Sequence, residues 1–431
     1  MIRANGNTSA LGWIDFSSEH REKVKTVIDL LGERGVVDEL GIGMIRDSFA
    51  DTLFPGISTI QTRAKYFLTV PRILRDYERL DLRSRRKQQL TVYLRQREND
   101  CMAALARNHK DDPQKGIIGI EFANKPGEVQ RKPSSVYWNG IRLFGLVKTK
   151  LSVQEFARTF ANPDQPLLDL VKGDDEKKGD DHDAHDSSGP IIELPTASTE
   201  EWLDTLRLHL SFDESTFLAA KIAATVPGSL LGQILMDAEN RTTFCELADT
   251  VSVTDLFDDA QFVSRFDDGL RSVMLGARDF WQLLKGAHIR YNVLIQRKQS
   301  TTAKREEFEQ EWNEWLGAMS SFPWDRWNTD LLWQLASKHG RQIRGFTKRF
   351  VLNWIAAVHD GAAVERYDEL VIKQEWRNKH PRARLTEGAD ERRTEWVGIR
   401  ELDYRFTQAR TIVRDIHRGL SEHQEEDDAR L

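Results

Sequence analysis

The sequence is poor in cysteine and contains no long hydrophobic run. Cys101 and Cys245 are the two cysteines among 431 residues, which excludes a disulfide framework and a four-thiolate zinc site. No apolar stretch approaches the roughly 18–20 residues that a membrane-spanning helix needs, and the polar start lacks the hydrophobic segment of a signal peptide. We therefore expect a reduced, cytoplasmic protein without a membrane partner.

Sequence motifs of the common enzyme classes are also missing. The chain has no G-x-x-x-x-G-K-[ST] loop for nucleotide phosphates, no H-E-x-x-H or Cys/His spacing for zinc, and no G-x-S-x-G nucleophile motif. We predict no cofactor, no metal site and no catalytic residue. A binding protein is favoured over an enzyme, although these absences leave the enzyme question open.

Charge is distributed unevenly along the chain. The net charge of −6 hides a basic stretch, residues 61–150, with 20 Lys and Arg against 9 Asp and Glu. An acidic stretch follows, residues 151–300, with 14 basic and 26 acidic side chains. Such asymmetry indicates a polyanionic partner for the basic stretch, and nucleic acid is the first candidate.

Apolar periodicity predicts a mainly α protein of two domains. The spacing of apolar residues at i, i+3 and i+4 predicts helices over 37–53, 58–70, 82–108, 133–143, 267–296 and 395–420, with one β-strand over 116–122. A capping box at Ser198 and Glu201 predicts a further helix over 202–210. We predict a winged-helix-like domain over 10–171, an acidic disordered linker over 172–190 and a Trp-rich helical array over 191–420.

The candidate nucleic-acid-binding residues lie in the basic stretch. Three predicted helices with a short break at Phe54-Pro55-Gly56 resemble a helix-turn-helix arrangement, and the helices after that break carry most of the cations. Lysine and arginine on one surface would neutralise phosphates and release counterions. The predicted binding residues are Arg63, Lys65, Arg83, Arg85, Arg86, Lys87, Arg95, Arg97, Lys132 and Arg142.

Aromatic residues near these cations allow two interpretations. Tyr66, Phe67, Tyr137 and Trp138 could stack on unpaired bases, but Phe67 and Trp138 fit the inner faces of their helices and are predicted to be core. The cations also allow alternatives. They could bind a protein, for instance the acidic linker of the same chain, or simply solvate the helices.

Three other groups could carry chemistry. Asp47 and Asp51 are spaced i, i+4 and could bind a metal or act as acid and base, although such pairs more often form an exposed face. His288 lies on an apolar helix stripe, where a hydrogen-bonded core histidine is the commoner outcome. The run 180–186 combines Asp and His, but it lies in the predicted linker, which is unsuited to a fixed metal geometry.

Several sequence blocks carry a family resemblance. These blocks are GWIDFS at 12–17, DELGIGMIRDSFADTLFPGISTIQTRAKYFLTVP at 38–71, PSSVYWNGIRLFGL at 133–146 and LDYRFTQARTIVRDI at 402–416. Together they resemble a widespread bacterial family of uncharacterised proteins of about this length. The resemblance implies a role in defence against phage DNA, beside helicases and nucleases. It implies no catalytic residues, and it marks Arg63, which the charge argument also selects.

Three functions remain as hypotheses. The first is a non-enzymatic nucleic-acid-binding subunit of an anti-phage complex, with DNA as the expected ligand and a helicase or nuclease as the expected partner. The second is a scaffold that binds only proteins through a Trp-rich face, because Trp and Arg dominate interface hot spots. The third is a metal-dependent enzyme with an unrecognised site around Asp47, Asp51 and Arg63.

Overall fold

The described part of the protein is mainly helical, as predicted. A computed structural model describes residues 38–111, 115–122, 129, 131–160, 190–195, 201–299, 302–385 and 396–428. Its helices are α1 (Gly43–Leu53), α2 (Tyr66–Arg79), α3 (Leu82–Lys87), α4 (Leu90–Asn108), α5 (Pro133–Leu143), α6 (Val153–Phe160), α7 (Phe212–Thr225), α8 (Leu230–Met236), α9 (Ala238–Glu246), α10 (Val253–Asp258), α11 (Ala260–Ser264), α12 (Asp268–Gln299), α13 (Thr302–Met319), α14 (Thr329–Lys338), α15 (Gly345–His359), α16 (Val364–Lys379) and α17 (Phe406–Asp428). Short 3-10 helices span Ile120–Phe122 and His380–Arg382. Within these residues, β pairing is limited to an isolated antiparallel bridge between Val147 and Ile192.

Residue contacts divide the chain into two compact units. In the described residues, the larger unit comprises 44–282, 323–343 and 402–428, and the smaller unit comprises 38–43, 283–322 and 344–401, each with the gaps given above. This grouping does not follow the predicted domains 10–171 and 191–420, which stay a prediction. The predicted linker 172–190 lies outside the described residues, apart from Pro190.

An aromatic cluster forms the core of the first half of the larger unit. Helix α2 packs on α4 and α5, and α6 packs on α4 and α5. Phe67 meets Tyr137 edge to face, with ring centroids 4.9 Å apart, and Trp138 lies 5.2 Å from Phe156. Phe67 and Tyr137 are fully buried and Trp138 is 6% exposed. The prediction that Phe67 and Trp138 are core residues is confirmed.

The second half of the larger unit is built on α7 and the final helix. Helix α7 packs on α8 and α17, and α17 also contacts α9. A capping box starts α7, because the Ser211 hydroxyl accepts from the Glu214 amide while the Glu214 carboxylate accepts from the Ser211 amide. The helix predicted over 202–210, after a capping box at Ser198 and Glu201, is wrong, because residues 202–205 form a turn and residues 206–210 are irregular. Ser198 itself lies outside the described residues.

The smaller unit has a tryptophan-rich core. Trp312 stacks on Trp315 at 5.0 Å and meets Tyr367 edge to face at 5.1 Å. The buried guanidinium of Arg290 lies 5.3 Å from the Trp312 ring centre and pairs with Asp368 and Glu309. The tryptophans that suggested a protein-binding face therefore serve mainly as interior packing here.

The helix predicted over 58–70 is wrong at both ends. Helix α2 begins at Tyr66 and continues through Pro71 to Arg79. A proline lacks the N–H that would bond to the carbonyl four residues earlier, so a helix usually stops before it. Here the burial of the α2 face, including Pro71 itself, outweighs that missing bond. The preceding segment is held instead by the Tyr137 hydroxyl, which accepts from the amides of Thr62 and Arg63.

The strand predicted over 116–122 is also wrong. Gly116 and Gly119 both adopt positive φ, at +94° and +81°, which breaks an extended chain twice within four residues. The apolar run therefore folds into turns and the 3-10 helix Ile120–Phe122. Among the described helices, none combines the length and the apolar character required to cross a bilayer.

Candidate nucleic-acid interface

The candidate interface lies in the basic segment, defined as residues 79–97. This segment holds seven Lys and Arg side chains and a single carboxylate, Asp81. Asp81 caps α3, because its Oδ1 accepts from the amides of Arg83 and Ser84 at 2.9 and 3.0 Å. Hydrogen bonds from Ser84 hold the pKa of Asp81 below its usual value. The one acid of the segment is thus used to fix the helix that carries the cations.

Three cations of this helix face the solvent. Arg83, Arg86 and Lys87 are exposed, and none of them makes an ion pair with any described residue. Arg79 and Arg95, on the flanking helices α2 and α4, are exposed as well. A surface with several exposed cations, three of them without an ion pair to a described residue, is suited to a ligand that carries regularly spaced negative charges.

Two other cations of the segment lie back against the protein. Arg85 donates to the carbonyls of Leu80 and Glu78, and its guanidinium lies over the ring of Tyr77. Arg97 lies over Tyr93, at 5.3 Å from the ring centre, and pairs with Asp100 at 3.3 Å. Their charge contributes to the local potential, but their donors are already partly used.

Arg63 is occupied by an internal carboxylate. Its Nε lies 2.9 and 3.0 Å from the two oxygens of Asp415 on α17, and its Nη2 lies 2.8 Å from Oδ1. Its Nη1 also donates to the carbonyl of Lys115. The side chain is only 11% exposed. A phosphate would have to displace a bidentate carboxylate to reach this guanidinium, so Arg63 is not part of the candidate interface.

Lys65 is occupied in the same way. Its Nζ lies 2.6 and 2.8 Å from the two oxygens of Glu214 on α7 and donates to the carbonyl of His209. Burial lowers the pKa of Lys65, and the neighbouring Glu214 carboxylate opposes that shift. Lys65 and Arg63 therefore join the segment before α2 to later helices of the larger unit, which removes Lys65 from the candidate interface too.

The last two predicted cations are half-buried and lie beside α5. Lys132 approaches Asn99, with Nζ and Oδ1 3.5 Å apart. Arg142 donates from Nη1 to the carbonyls of Lys150 and Leu151, at 2.6 and 3.0 Å. Carbonyl partners leave the charge of Arg142 unneutralised, but they fix the orientation of its guanidinium.

The aromatic residues considered for base stacking are not accessible. Tyr66 is 2% exposed, and Phe67, Tyr137 and Trp138 belong to the core described above. The Tyr66 hydroxyl accepts from the Ile118 amide at 2.9 Å. An interface at the basic segment would therefore contact phosphates rather than bases.

The carboxylates considered for metal binding are held by arginines. Asp51 bridges Arg341 and Arg405, and Asp47 accepts from the Nε of Arg46 at 2.9 Å. A carboxylate paired with guanidinium groups has few lone pairs left for a cation. The described residues contain no group of three or more His, Cys, Asp and Glu side chains placed to hold a metal ion. The run 180–186 lies outside the described residues.

His288 is a core residue. It is fully buried on α12, and burial lowers its pKa to about 3, which keeps the ring neutral near pH 7.

Arg79 belongs to the candidate interface but is not among the predicted binding residues. The sequence predicts that the helix containing Tyr66 ends before Pro71, eight residues before Arg79. The run of cations from 79 to 87 was the available signal for it.

Comparison with known proteins gives a family but no activity. Residues 8–417 match the sequence profile of DUF6361, a family of unknown function. No curated protein and no solved structure matches the chain.

Proposed function

The chain belongs to the family of unknown function DUF6361, and we propose from its charged surface that it binds nucleic acid through the basic segment. One observation carries the proposal. Arg83, Arg86 and Lys87 project from a capped helix and have no carboxylate partner among the described residues. The flanking cations Arg79 and Arg95 extend the surface on both sides.

Counterion release provides the affinity. Each phosphate that is neutralised on duplex DNA frees condensed counterions and contributes about 0.9 to the slope of log affinity against log salt concentration. The binding is expected to depend little on sequence, because the segment presents cations and no accessible aromatic ring. DNA is the first polyanion to test, since the sequence blocks resemble a family implied in defence against foreign DNA.

A charge-neutralising variant tests the proposal. Fluorescence anisotropy with a labelled DNA duplex would be measured from about 50 to 200 mM salt, for wild type and for R83Q/R86Q/K87Q. We expect the variant to bind more weakly and its salt slope to fall by roughly 2.7, which is about 0.9 for each phosphate that is no longer neutralised. The control is R207Q/K285Q/K338Q, which removes the same charge from exposed cations elsewhere.

The control separates a local site from a general effect of net charge. If both triple variants reduced the affinity equally, binding would reflect overall charge and the proposal would fail. Retention of duplex DNA by R83Q/R86Q/K87Q at wild-type affinity would contradict it directly.

The other hypotheses gain no specific support. Trp312 and Trp354 are buried, which removes them from an exposed protein-binding face. Asp51 is held by two arginines, which does not favour a metal-dependent enzyme at that position. A helicase or nuclease partner, a place in anti-phage defence and a winged-helix-like domain over 10–171 stay predictions from the sequence.

A further inference from the structure

A second basic surface lies on the helical hairpin of the smaller unit. A short connection, residues 360–363, joins α15 to α16, and the two helices pack against each other, so they run antiparallel. The start of α15 and the end of α16 therefore lie together. Both ends are fixed to the same short segment, because Thr347 donates to the carbonyl of Gly41 and Gln374 donates to that of Leu40.

Cations outnumber carboxylates at this end of the hairpin, and the exposed Glu369, one turn before Lys373 on α16, pairs with Arg366. The stretches 344–358 and 370–385 contain eight Lys and Arg and one carboxylate, Glu375. Glu375 is fully buried and accepts from the Tyr291 hydroxyl and from the amides of Arg384 and Leu385. Lys379 and Arg384 pair with the buried Glu39. The remaining cations define the hairpin patch: Arg344, Lys348, Arg349, Lys373, Arg377 and Arg382.

Most of the hairpin patch is open to a ligand. Arg349, Lys373 and Arg382 are exposed and Arg377 is half-buried, and none of these four makes an ion pair with a described residue. Lys373 and Arg377 are one turn apart on α16, so they point to the same side. Their spacing along the helix suits neighbouring phosphates of one strand.

An exposed tryptophan lies among these cations. Trp376 is 51% exposed, whereas Trp312 and Trp354 of the same unit are buried. Ile372, one turn earlier on α16, is 39% exposed. Exposed indole surface beside cations is the combination with which proteins hold single strands, because the ring stacks on a base while the cations contact the backbone.

The backbone next to Trp376 adopts a strained conformation. His380 follows α16 with φ of +50°, a left-handed value that a residue with a side chain rarely adopts. It directly precedes Pro381 in a 3-10 turn that brings Arg382 to the end of α16. The His380 ring meets the indole of Trp376 edge-on, with ring centres 5.7 Å apart. Strain of this kind is concentrated at functional sites.

We propose that the hairpin patch binds single-stranded nucleic acid, with an unpaired base stacked on Trp376 and phosphates on Lys373, Arg377 and Arg382. A duplex hides its base faces, so the indole selects for a single strand. The patch belongs to a different compact unit from the basic segment and shares no residue with it, so this inference does not depend on the function proposed above.

Three variants separate stacking from charge. Anisotropy would be measured with labelled oligo(dT) and oligo(rU) of about 20 nucleotides over a range of salt concentrations. W376A is expected to weaken binding about tenfold with an unchanged salt slope, because one stacked base is worth roughly 1–3 kcal/mol. W376F retains a ring and is expected to recover most of that affinity. K373Q/R377Q/R382Q is expected to lower the salt slope by roughly 2.

The controls distinguish this inference from the function proposed above. R83Q/R86Q/K87Q should leave oligo(dT) binding within about twofold of wild type if the hairpin patch acts alone. Oligonucleotide binding that disappears in that variant but is unchanged in W376A and K373Q/R377Q/R382Q would overturn the inference and leave the first proposal standing. If only the hairpin variants bound the oligonucleotides more weakly, and R83Q/R86Q/K87Q bound duplex DNA like wild type, the first proposal would fail and this inference would stand.

A membrane surface is the competing ligand for cations beside exposed apolar side chains. Sedimentation with vesicles of phosphatidylcholine and phosphatidylserine tests it. Vesicle binding that depends on Trp376, together with no binding of either oligonucleotide, would overturn the inference. Because Trp376 is half exposed, its variants should keep the wild-type melting temperature, and circular dichroism verifies that each is folded.

Discussion

Arg63 and Asp415 form a bidentate ion pair between residues that are 352 positions apart in the chain. Asp415 also accepts from the amide of Ala64 at 2.9 Å, so one carboxylate holds both the side chain and the backbone of this segment. The pair is largely buried, with 11% and 8% of the two side chains exposed. A cation expected to bind phosphate is therefore a structural contact of the larger unit.

Asp415→Asn is expected to destabilise the protein by about 3 kcal/mol, because it leaves the buried Arg63 charge without its partner. Urea unfolding followed by circular dichroism measures the change. Glu369→Gln is the matched control, since it breaks the exposed Arg366–Glu369 pair and should cost no more than about 0.5 kcal/mol. Equal effects of the two substitutions would show that burial of the Arg63 pair has no consequence for stability.

Lys65 and Glu214 are expected to show strong coupling. Lys65→Met leaves the buried Glu214 carboxylate without its ion-pair partner, and we expect the stability to fall by about 3 kcal/mol. The double variant K65M/E214Q removes both charges and should recover at least about 1 kcal/mol of that stability. A double-mutant cycle by urea unfolding measures the coupling. If the effects of the two single substitutions were additive, Lys65 and Glu214 would not interact energetically. That result would contradict the coupling expected from the 2.6 Å between Nζ and Oε2.

Glu98 is expected to make stability depend on pH. Burial raises the pKa of Glu98 to about 7, although its Oε1 accepts from the amide of Ser134 at the start of α5. Because its pKa is raised, Glu98 binds its proton more tightly in the folded state than in the unfolded state. Its contribution to stability is therefore complete below the unfolded pKa, near 4.5, and is lost as the pH rises through 7.

Glu98→Gln removes the titrating group and keeps an acceptor for Ser134. Relative to wild type, we expect the variant to gain up to about 3 kcal/mol between about pH 4.5 and pH 8, following about 1.4 kcal/mol for each pKa unit. Urea unfolding at several pH values measures the difference. A constant difference across that range would show that Glu98 titrates normally.

Gly140 is expected to tolerate no side chain. A Cβ at this position would lie 2.6 Å from the carbonyl oxygen of Gly56 and 2.6 Å from a ring atom of Phe67. Gly140→Ala should therefore destabilise the protein by about 2 kcal/mol, because the core must shift. Gly317→Ala is the control on α13, where a Cβ meets nothing within 4 Å and should stabilise the helix by about 0.5–1 kcal/mol. Thermal melting of both variants compares them.

Local signals predicted part of the fold correctly. Helix α5 has the predicted bounds, because Pro133 starts it and its apolar residues repeat with helical spacing. Helix α12 agrees with prediction to within a few residues for the same reason. Helix α2 could not be predicted, since its passage through Pro71 depends on burial against later helices. The 3-10 helix Ile120–Phe122 was hidden by an apolar run that resembles a strand.

The candidate site was predictable only where its residues act locally. Arg83, Arg86 and Lys87 are exposed on a short polar helix, as a run of cations suggests. The partners of Arg63 and Lys65 lie 352 and 149 residues later, and nothing in the local pattern identifies them. Trp376 was missed because an exposed tryptophan and a core tryptophan give the same apolar signal on an amphipathic helix.

The contact between Arg63 and the final helix has a consequence for biosynthesis. Arg63 and Ala64 can contact Asp415 only after Asp415 has left the ribosome, 352 residues after Arg63. Long-range closure of this kind slows folding. Until then Arg63 is an uncompensated cation beside apolar surface that later becomes core, whereas the partner of Lys65, Glu214, is synthesised earlier. Synthesis of the chain through Asp415 is thus a precondition for the segment before α2 to be fully packed.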